Sequence, residues 1–341
     1  MITGVSIVIC CYNSTQRLPQ TLAHLAAQKV ADVPWEVIVI DNASTDNTAE
    51  VAKICWASEN SVPLRVVHEP QAGLSHARHR GFQEAKYDLI CLVDDDNWVC
   101  PEWVQTIAEI MSEHPDIGAC GGSSQAASDM PLPWWFADYQ DAYAIGEQTQ
   151  QVGDITQTRG FLWGAGLTIR KKAWQQLLDG GFQPLLSDRK GATLASCGDY
   201  EFCLALRLAK WQLWYDPRLH FCHYVPASRL QWSYLRRLKR GFGASSVGLD
   251  PYSFLLNEDN LSLKTRLMQN WYFRLTLTLV KLLRYPYKLL LSSSYLWEGD
   301  SEIINVEILL GRLSELMKQR QVYHLNATSI AKAPWILSVK N

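Results

Sequence analysis

No glycine-rich phosphate cradle occurs in the 341-residue chain. Neither G-x-G-x-x-G nor G-x-x-x-x-G-K-[ST] follows its first apolar run, which excludes the common dinucleotide and P-loop readings. No C-x-x-C pair is present, so a zinc ribbon or finger is excluded. The nine cysteines are odd in number and form no complete disulfide framework, and the reducing cytoplasm is the expected compartment. Global basicity is also missing: the formal net charge is -2, and no nucleic-acid partner is expected. The opening MITGVSIVICCYN has no basic n-region and only a short apolar run, so no signal peptide is expected. Sequons stand at Asn13, Asn42, Asn260 and Asn326, and the first two fall in the candidate site, which argues against glycan there.

What is present is a 48% hydrophobic, 19% charged chain with 14 tryptophans, the composition of a folded globular protein. Its length suits one large domain, or one domain plus an accessory region. The first half alternates. VSIVICC, WEVIVI, LRVVHE and DLICLV read as strands; RLPQTLAHLAAQ, TDNTAEVAKICWA and LSHARHRGFQEA read as helices between them. Strands alternating with helices predict βαβ units, hence an α/β domain with a mostly parallel central sheet flanked by helices. From Gly121 to Gly160 the pattern weakens into a polar, aromatic, loop-like stretch. FLWGAGLTIRKKAW and GDYEFCLALRLAKW restore strand and helix patterns, and beyond about Leu230 the chain reads as helical.

In open α/β sheets ligands bind beyond the carboxyl ends of the strands. The residues there are Cys11-Tyr12-Asn13, Asp41-Asn42, His68-Glu69 and Asp94-Asp95-Asp96. Three adjacent carboxylates repel and raise one another's pKa. An N-cap role does not explain them: Pro101 suits the first helical position of PEWVQTIAEIM, which puts the cap at Cys100. A solvated turn is one reading. A hard dication, Mn2+ or Mg2+, is the other, since such ions take carboxylate oxygens and offset the repulsion. For Asp41, hydrogen bonds to a base or ribose compete with a local Asx-turn.

VSIVICCYN, EVIVIDNASTDNT, AGLSHARHRGF, LICLVDDDNW, FLWGAGLTIRKKAW and SCGDYEFCLALRLAKWQLWYDP occur in an order that resembles family 2 glycosyltransferases of the GT-A fold, in particular bacterial polysaccharide-assembly members. The resemblance covers about residues 3 to 230. It implies a GT-A catalytic domain over 1–235, with a donor half over about 1–120 and an acceptor half over about 121–235, and a helical region over 236–341. It also implies that Cys11, Tyr12, Asn13 and Asp41 border the nucleotide, usually uridine, with Arg78 near it. His79 replaces the family's usual Asn, and Arg80 adds a second cation. Asp94 and Asp96 match the family's DxD pair, with Asp96 on metal and diphosphate, Asp94 on ribose or the metal shell, and Asp95 between them. Aligned on Ser196 and Cys203, Asp199 takes the place of the catalytic Asp, Gly198 stands where a Glu is usual, and Glu201 is a reserve base on the acceptor side. Against this stands the plain reading in which Asp199 and Glu201 favour a helix's first turn through its dipole.

The implied activity is inverting, metal-dependent transfer from a nucleotide sugar, with a saccharide or lipid-linked acceptor. His223 is a candidate late metal ligand, against packing as the simpler account. Trp134, Trp135, Trp163 and Gly164 are candidates for the acceptor side, because aromatic rings stack on sugar faces; core packing competes. WYFRLTLTLVKLLRYPYKLLLSSSYLW is interrupted by Arg274, Lys281, Arg284 and Lys288, too charged for a membrane span. Those cations share one helical face, so an interfacial helix on an anionic membrane competes with a core helix bearing a solvated basic stripe. Pro286 would kink or end that helix. Two other functions remain: a sugar-phosphate nucleotidyltransferase, whose Gly-rich signature is missing, and a carbohydrate-binding scaffold without a base.

Overall fold

A computed structural model describes residues 2–56, 62–186, 197–257, 267–291 and 298–337. Ser196 and Asn260 lie outside them. By internal contacts the chain divides into two compact units. The first comprises Met1–Ser128, Tyr143–Leu177 and Lys210–Val225; the second Asp129–Ala142, Leu178–Ala209 and Pro226–Asn341. This division is not a single cut near residue 235, because the segment carrying Asp199 packs with the C-terminal helices.

The first unit is built on one sheet. Its strands are β1 (Val5–Cys11), β2 (Trp35–Asn42), β3 (Leu64–Glu69), β4 (Leu89–Asp94), β5 (Asn97–Val99), β6 (Ile117–Ala127), β7 (Gly153–Asp154), β8 (Thr168–Arg170) and β9 (Gln212–Tyr224). They run in the order β3-β2-β1-β4-β8-β6-β9-β5, with β7 on β9. β3, β2, β1 and β4 are parallel; β8 is antiparallel to β4 and β6; β9 is parallel to β6. Helices α1 (Leu18–Ala26), α2 (Thr48–Cys55), α3 (Leu74–Glu84) and α4 (Trp103–Glu113) alternate with these strands. β1 and β2 are buried almost throughout, as continuous apolar strands covered on both faces must be. The core joins Ile7, Ile9, Val37 and Val39 of the sheet to Leu22, Trp103 and Ile107 of the helices. Glu102, not Cys100, caps α4, which begins at Trp103; Pro101 and Glu102 form a preceding turn.

β6 occupies part of the stretch expected to be loop. Its IGACGGSSQAA has little β-branched or aromatic character. The glycines are there for space: an alanine Cβ at Gly122 would lie 1.6 Å from the Leu219 carbonyl oxygen. The β6–β9 register shifts between Gly121 and Ser123, where this close approach occurs.

The second unit is helical: α5 (Phe136–Tyr139), α7 (Gly198–Leu208), α8 (Trp232–Leu256), α9 (Trp271–Leu282), α10 (Pro286–Leu291), α11 (Ser301–Lys318), α12 (Tyr323–Ala331) and α13 (Pro334–Leu337). α6 (Lys171–Asp179) runs across the division of the chain. Buried ion pairs hold this unit. Glu307 of α11 accepts from Arg236 and Arg240 of α8. Asp250 of α8 meets Arg274 of α9 and Arg312 of α11, and accepts from the Tyr323 hydroxyl at 2.9 Å. Pro286 opens α10, so the expected break in the basic segment occurs there.

Candidate active site at the sheet rim

Parallel register brings the ends of four strands to one rim. Cys11 pairs with Asp41, Asp41 with His68, and Cys10 with Asp94. Asp41 and Asp94 therefore flank β1, one strand to each side. The Cys11 side chain turns into the core, leaving Tyr12, 57% exposed, and Asn13 at the rim. Burial and the nearby Asp95 push the Cys11 thiol up, so it stays neutral. Cys11 can therefore border a ligand only through its backbone.

Asn13 stitches β1 to β2. Its side-chain oxygen accepts from the Thr45 amide at 2.8 Å, and its own amide donates to the Ser44 hydroxyl at 3.1 Å. Asn13 at φ 50° and Ala43 at φ 53° are both in the left-handed region, which side chains other than glycine adopt at a cost. Strained backbone of this kind gathers at binding sites. Asn42 holds the next loop: it donates to the carbonyls of Glu69 and Gln71 and accepts from the Gly73 amide at 2.8 Å. Gly73, at φ 137°, leads into α3, which carries Arg78 half-buried in its second turn.

The three aspartates face different partners. Asp95 is buried and pairs with Arg17 at 2.7 Å, with Ser14 donating its hydroxyl to the same oxygen. Burial, then the Asp96 charge, raise the Asp95 pKa; Arg17 and Ser14 pull it back only in part. This carboxylate is engaged by Arg17 and Ser14, at and before the start of α1. Asp94 is half-buried. Asp96 is buried with its Oδ1 3.4 Å from the His223 Nε2. That contact follows from the antiparallel pairing of β5 and β9, which sets Asn97 opposite His223.

Among the described residues, the buried polar atoms here without hydrogen-bond partners include Asp41 Oδ1 and His223 Nδ1. Asp41 Oδ2 lies 3.5 Å from His68 Nδ1, so Oδ1 remains open to a donor group. Because His223 Nδ1 has no partner, the neutral ring can carry its proton on either nitrogen. Nε2–H donates to Asp96, or Nδ1–H leaves Nε2 as a lone pair beside that carboxylate. Among the described residues no three His, Cys, Asp or Glu side chains form a complete cage. One oxygen and one nitrogen donor fit an octahedral dication whose other ligands are phosphate oxygens and water.

Of the acceptor-side residues, Trp163 and Gly164 belong to the first unit, and Trp134, Trp135, Asp199 and Glu201 to the second. Trp134 is 73% exposed. Trp135 is fully buried, donating from Nε1 to Glu298 at 2.7 Å and packing edge-on to Trp232. Its reading is corrected to packing, since no face of the ring is free for a sugar. Trp163 is also buried, beneath the Arg159 guanidinium. Glu201 is corrected likewise: it has no exposure, and its oxygens accept from the amides of Leu185 and Leu186 and from the Tyr252 hydroxyl. Asp199 lies in the first turn of α7, accepting from the Tyr200 amide, directly after Cys197 at φ 83° and Gly198. Ser14 and Arg17 escaped the sequence reading, where their nearness to the end of β1 was the available cue; Asn42 was placed at the strand end but given no role.

An α/β sheet whose parallel strands end in carboxylates has the form of a ligand-binding rim. The model for glycosyl transferase family 2 matches residues 6–178, half of the chain, and the chain belongs to that family. It is 27% identical over 164 residues to the uncharacterized glycosyltransferase EpsJ of Bacillus subtilis, covering 48% of this chain and 46% of that protein. It is 29% identical over 120 residues to the poly-beta-1,6-N-acetyl-D-glucosamine synthase of Staphylococcus aureus, covering 35% and 28% respectively. The match thus spans less than half the length of either relative. The crystal structure of S. aureus TarS 1-349 in complex with UDP-GlcNAc has the same fold, with a TM-score of 0.52 and 14% identity over 96% of this chain and 92% of that one.

Proposed function

We propose that the protein is an inverting glycosyltransferase that moves a sugar from a nucleotide sugar, a UDP-sugar, to a saccharide or lipid-linked acceptor in cell-surface polysaccharide assembly at the cytoplasmic side. The observation that carries this is the convergence of Asp41, Asp94 and Asp96 on one rim, with the Asp41 Oδ1 unpaired and Asp96 beside His223. Family membership supports the reaction class, and the UDP-GlcNAc named for TarS supports the donor class.

Asp41 accepts from the base or ribose, and Arg78, on α3, contributes positive charge toward the diphosphate. Asp96 and His223 would hold Mn2+ or Mg2+, with Asp94 in its outer shell; the ion would supply Lewis-acid stabilisation of the leaving diphosphate. By the order of the family's motifs, Asp199 is the proposed base for the attacking acceptor hydroxyl, with the nucleoside diphosphate as leaving group. Trp134 offers an exposed ring for the acceptor.

Incubation with Mn2+ and a panel of nucleotide sugars, with and without oligosaccharide acceptors, tests the proposal. Acceptor-stimulated release of nucleoside diphosphate is expected. Release of pyrophosphate from a sugar phosphate and a nucleoside triphosphate would instead make it a nucleotidyltransferase. Binding without any release would make it a scaffold.

A further inference from the structure

The basic, apolar segment near the C-terminus divides its cations in two. Arg274 turns inward onto Asp250, and Lys288 pairs with Asp300. Lys281 and Arg284 are exposed, with no ion pair among the described residues. The expectation of four cations on one solvated face is corrected accordingly.

The outward side is apolar. At about 3.6 residues per turn, Tyr272, Thr276, Leu279 and Val280 fall on one arc of α9, with Phe273 at its edge and Lys281 beyond; Leu283 caps the helix and Arg284 follows in the turn. Leu283 is 75% exposed, Tyr272 63%, and Tyr287 on α10 77%. The opposite arc, Trp271, Thr278 and Leu282, is buried. Apolar side chains thus line the water-facing side of a helix whose inner side is already packed. From Leu267 to Leu291 there is no acidic residue.

We propose that this face of α9 and α10 docks in the plane of an anionic lipid surface. Leu279, Val280, Leu283 and Tyr287 enter the headgroup–acyl boundary, and Lys281 and Arg284 meet lipid phosphates. Charge complementarity selects lipid over a second copy of the chain. Two such faces together would oppose cations with no acid between them, whereas an anionic leaflet attracts each by about 1 kcal/mol. Among the described residues no helix is long and apolar enough to cross a membrane, so the contact is in-plane. The docking deepens the transferase reading, resting on it for its purpose, since a lipid-linked acceptor lies at such a surface.

The test is co-sedimentation of the full chain with vesicles of phosphatidylcholine alone or with about one third phosphatidylglycerol. Sedimentation with the anionic vesicles, weakened by salt, is expected. Leu283→Glu with Tyr287→Glu lowers partitioning roughly tenfold or more. Lys281→Gln with Arg284→Gln lowers it roughly thirtyfold. Both pairs are exposed, and circular dichroism checks that the fold persists. Wild-type protein that ignores anionic vesicles, or variants that bind as wild type does, overturn the proposal. So does self-association that the same substitutions abolish, which would assign the face to a second copy. Nucleotide-sugar binding, measured in parallel, separates the ideas. Donor binding without vesicle binding removes only the docking surface; vesicle binding without donor binding removes the transferase reading.

Discussion

Asp95 and Asp96 are chain neighbours, yet one answers to Arg17 and the other to His223. Asp95 already has a cation in Arg17, so the proposed ion is assigned to Asp96. Asp96→Ala is expected to abolish metal-dependent donor binding while the protein stays folded. Calorimetric titration with Mn2+ and a UDP-sugar measures this, and an unchanged titration would move the ion elsewhere. A positioned base contributes about 10²–10⁴-fold, so Asp199→Asn should lower turnover by that factor with donor affinity retained. Full turnover in that variant would reassign the base, and the buried, fully engaged Glu201 is not the replacement.

At the scale of elements, strands and helices of the parallel half follow the apolar pattern closely: LRVVHE is β3 residue for residue. β6 shows the limit of such reading. Its small residues read as loop because the partner that needs their smallness, the Leu219 carbonyl, is nearly a hundred residues away in the chain. Gly122→Ala should cost about 2–3 kcal/mol through overpacking against backbone that cannot yield, visible as a lower urea midpoint. Helix α11 carries a pH signature. Burial would raise the Asp300 pKa, but Lys288 and the amides of Glu302 and Ile303 outweigh it and hold the carboxyl below its ordinary value. A depressed pKa stabilises the fold above the unfolded value, about 4, and that stability is lost as pH falls through the folded value. Asp300→Ala should cost about 1 kcal/mol at neutral pH and flatten that acid limb, as read by denaturation at successive pH values.

Across the whole molecule, two units divide the chain in a way that sequence order hides, since each is assembled from separated segments. The second unit depends on buried charge. Asp250 gathers α8, α9, α11 and α12 through Arg274, Arg312 and Tyr323. Asp250→Ala leaves two guanidinium groups without their buried counterion and should cost about 3–5 kcal/mol. Thermal melting would register this as a lower midpoint, and an unchanged midpoint would show that water serves both arginines. The same Arg274 bond turns that cation away from the outward apolar face, which leaves Lys281 and Arg284 for the proposed lipid contact.

The sequence by itself determined the parallel βαβ half, its rim and the acidic triplet there, because apolar periodicity and strand-end position are local properties that a reader can follow along the chain. Only tertiary structure decided which aspartate meets Arg17 and which meets His223, that Trp135 and Glu201 are interior, and that two of four cations point inward. Those outcomes depend on strand register and helix packing between residues tens to hundreds of positions apart, and no local pattern encodes that pairing.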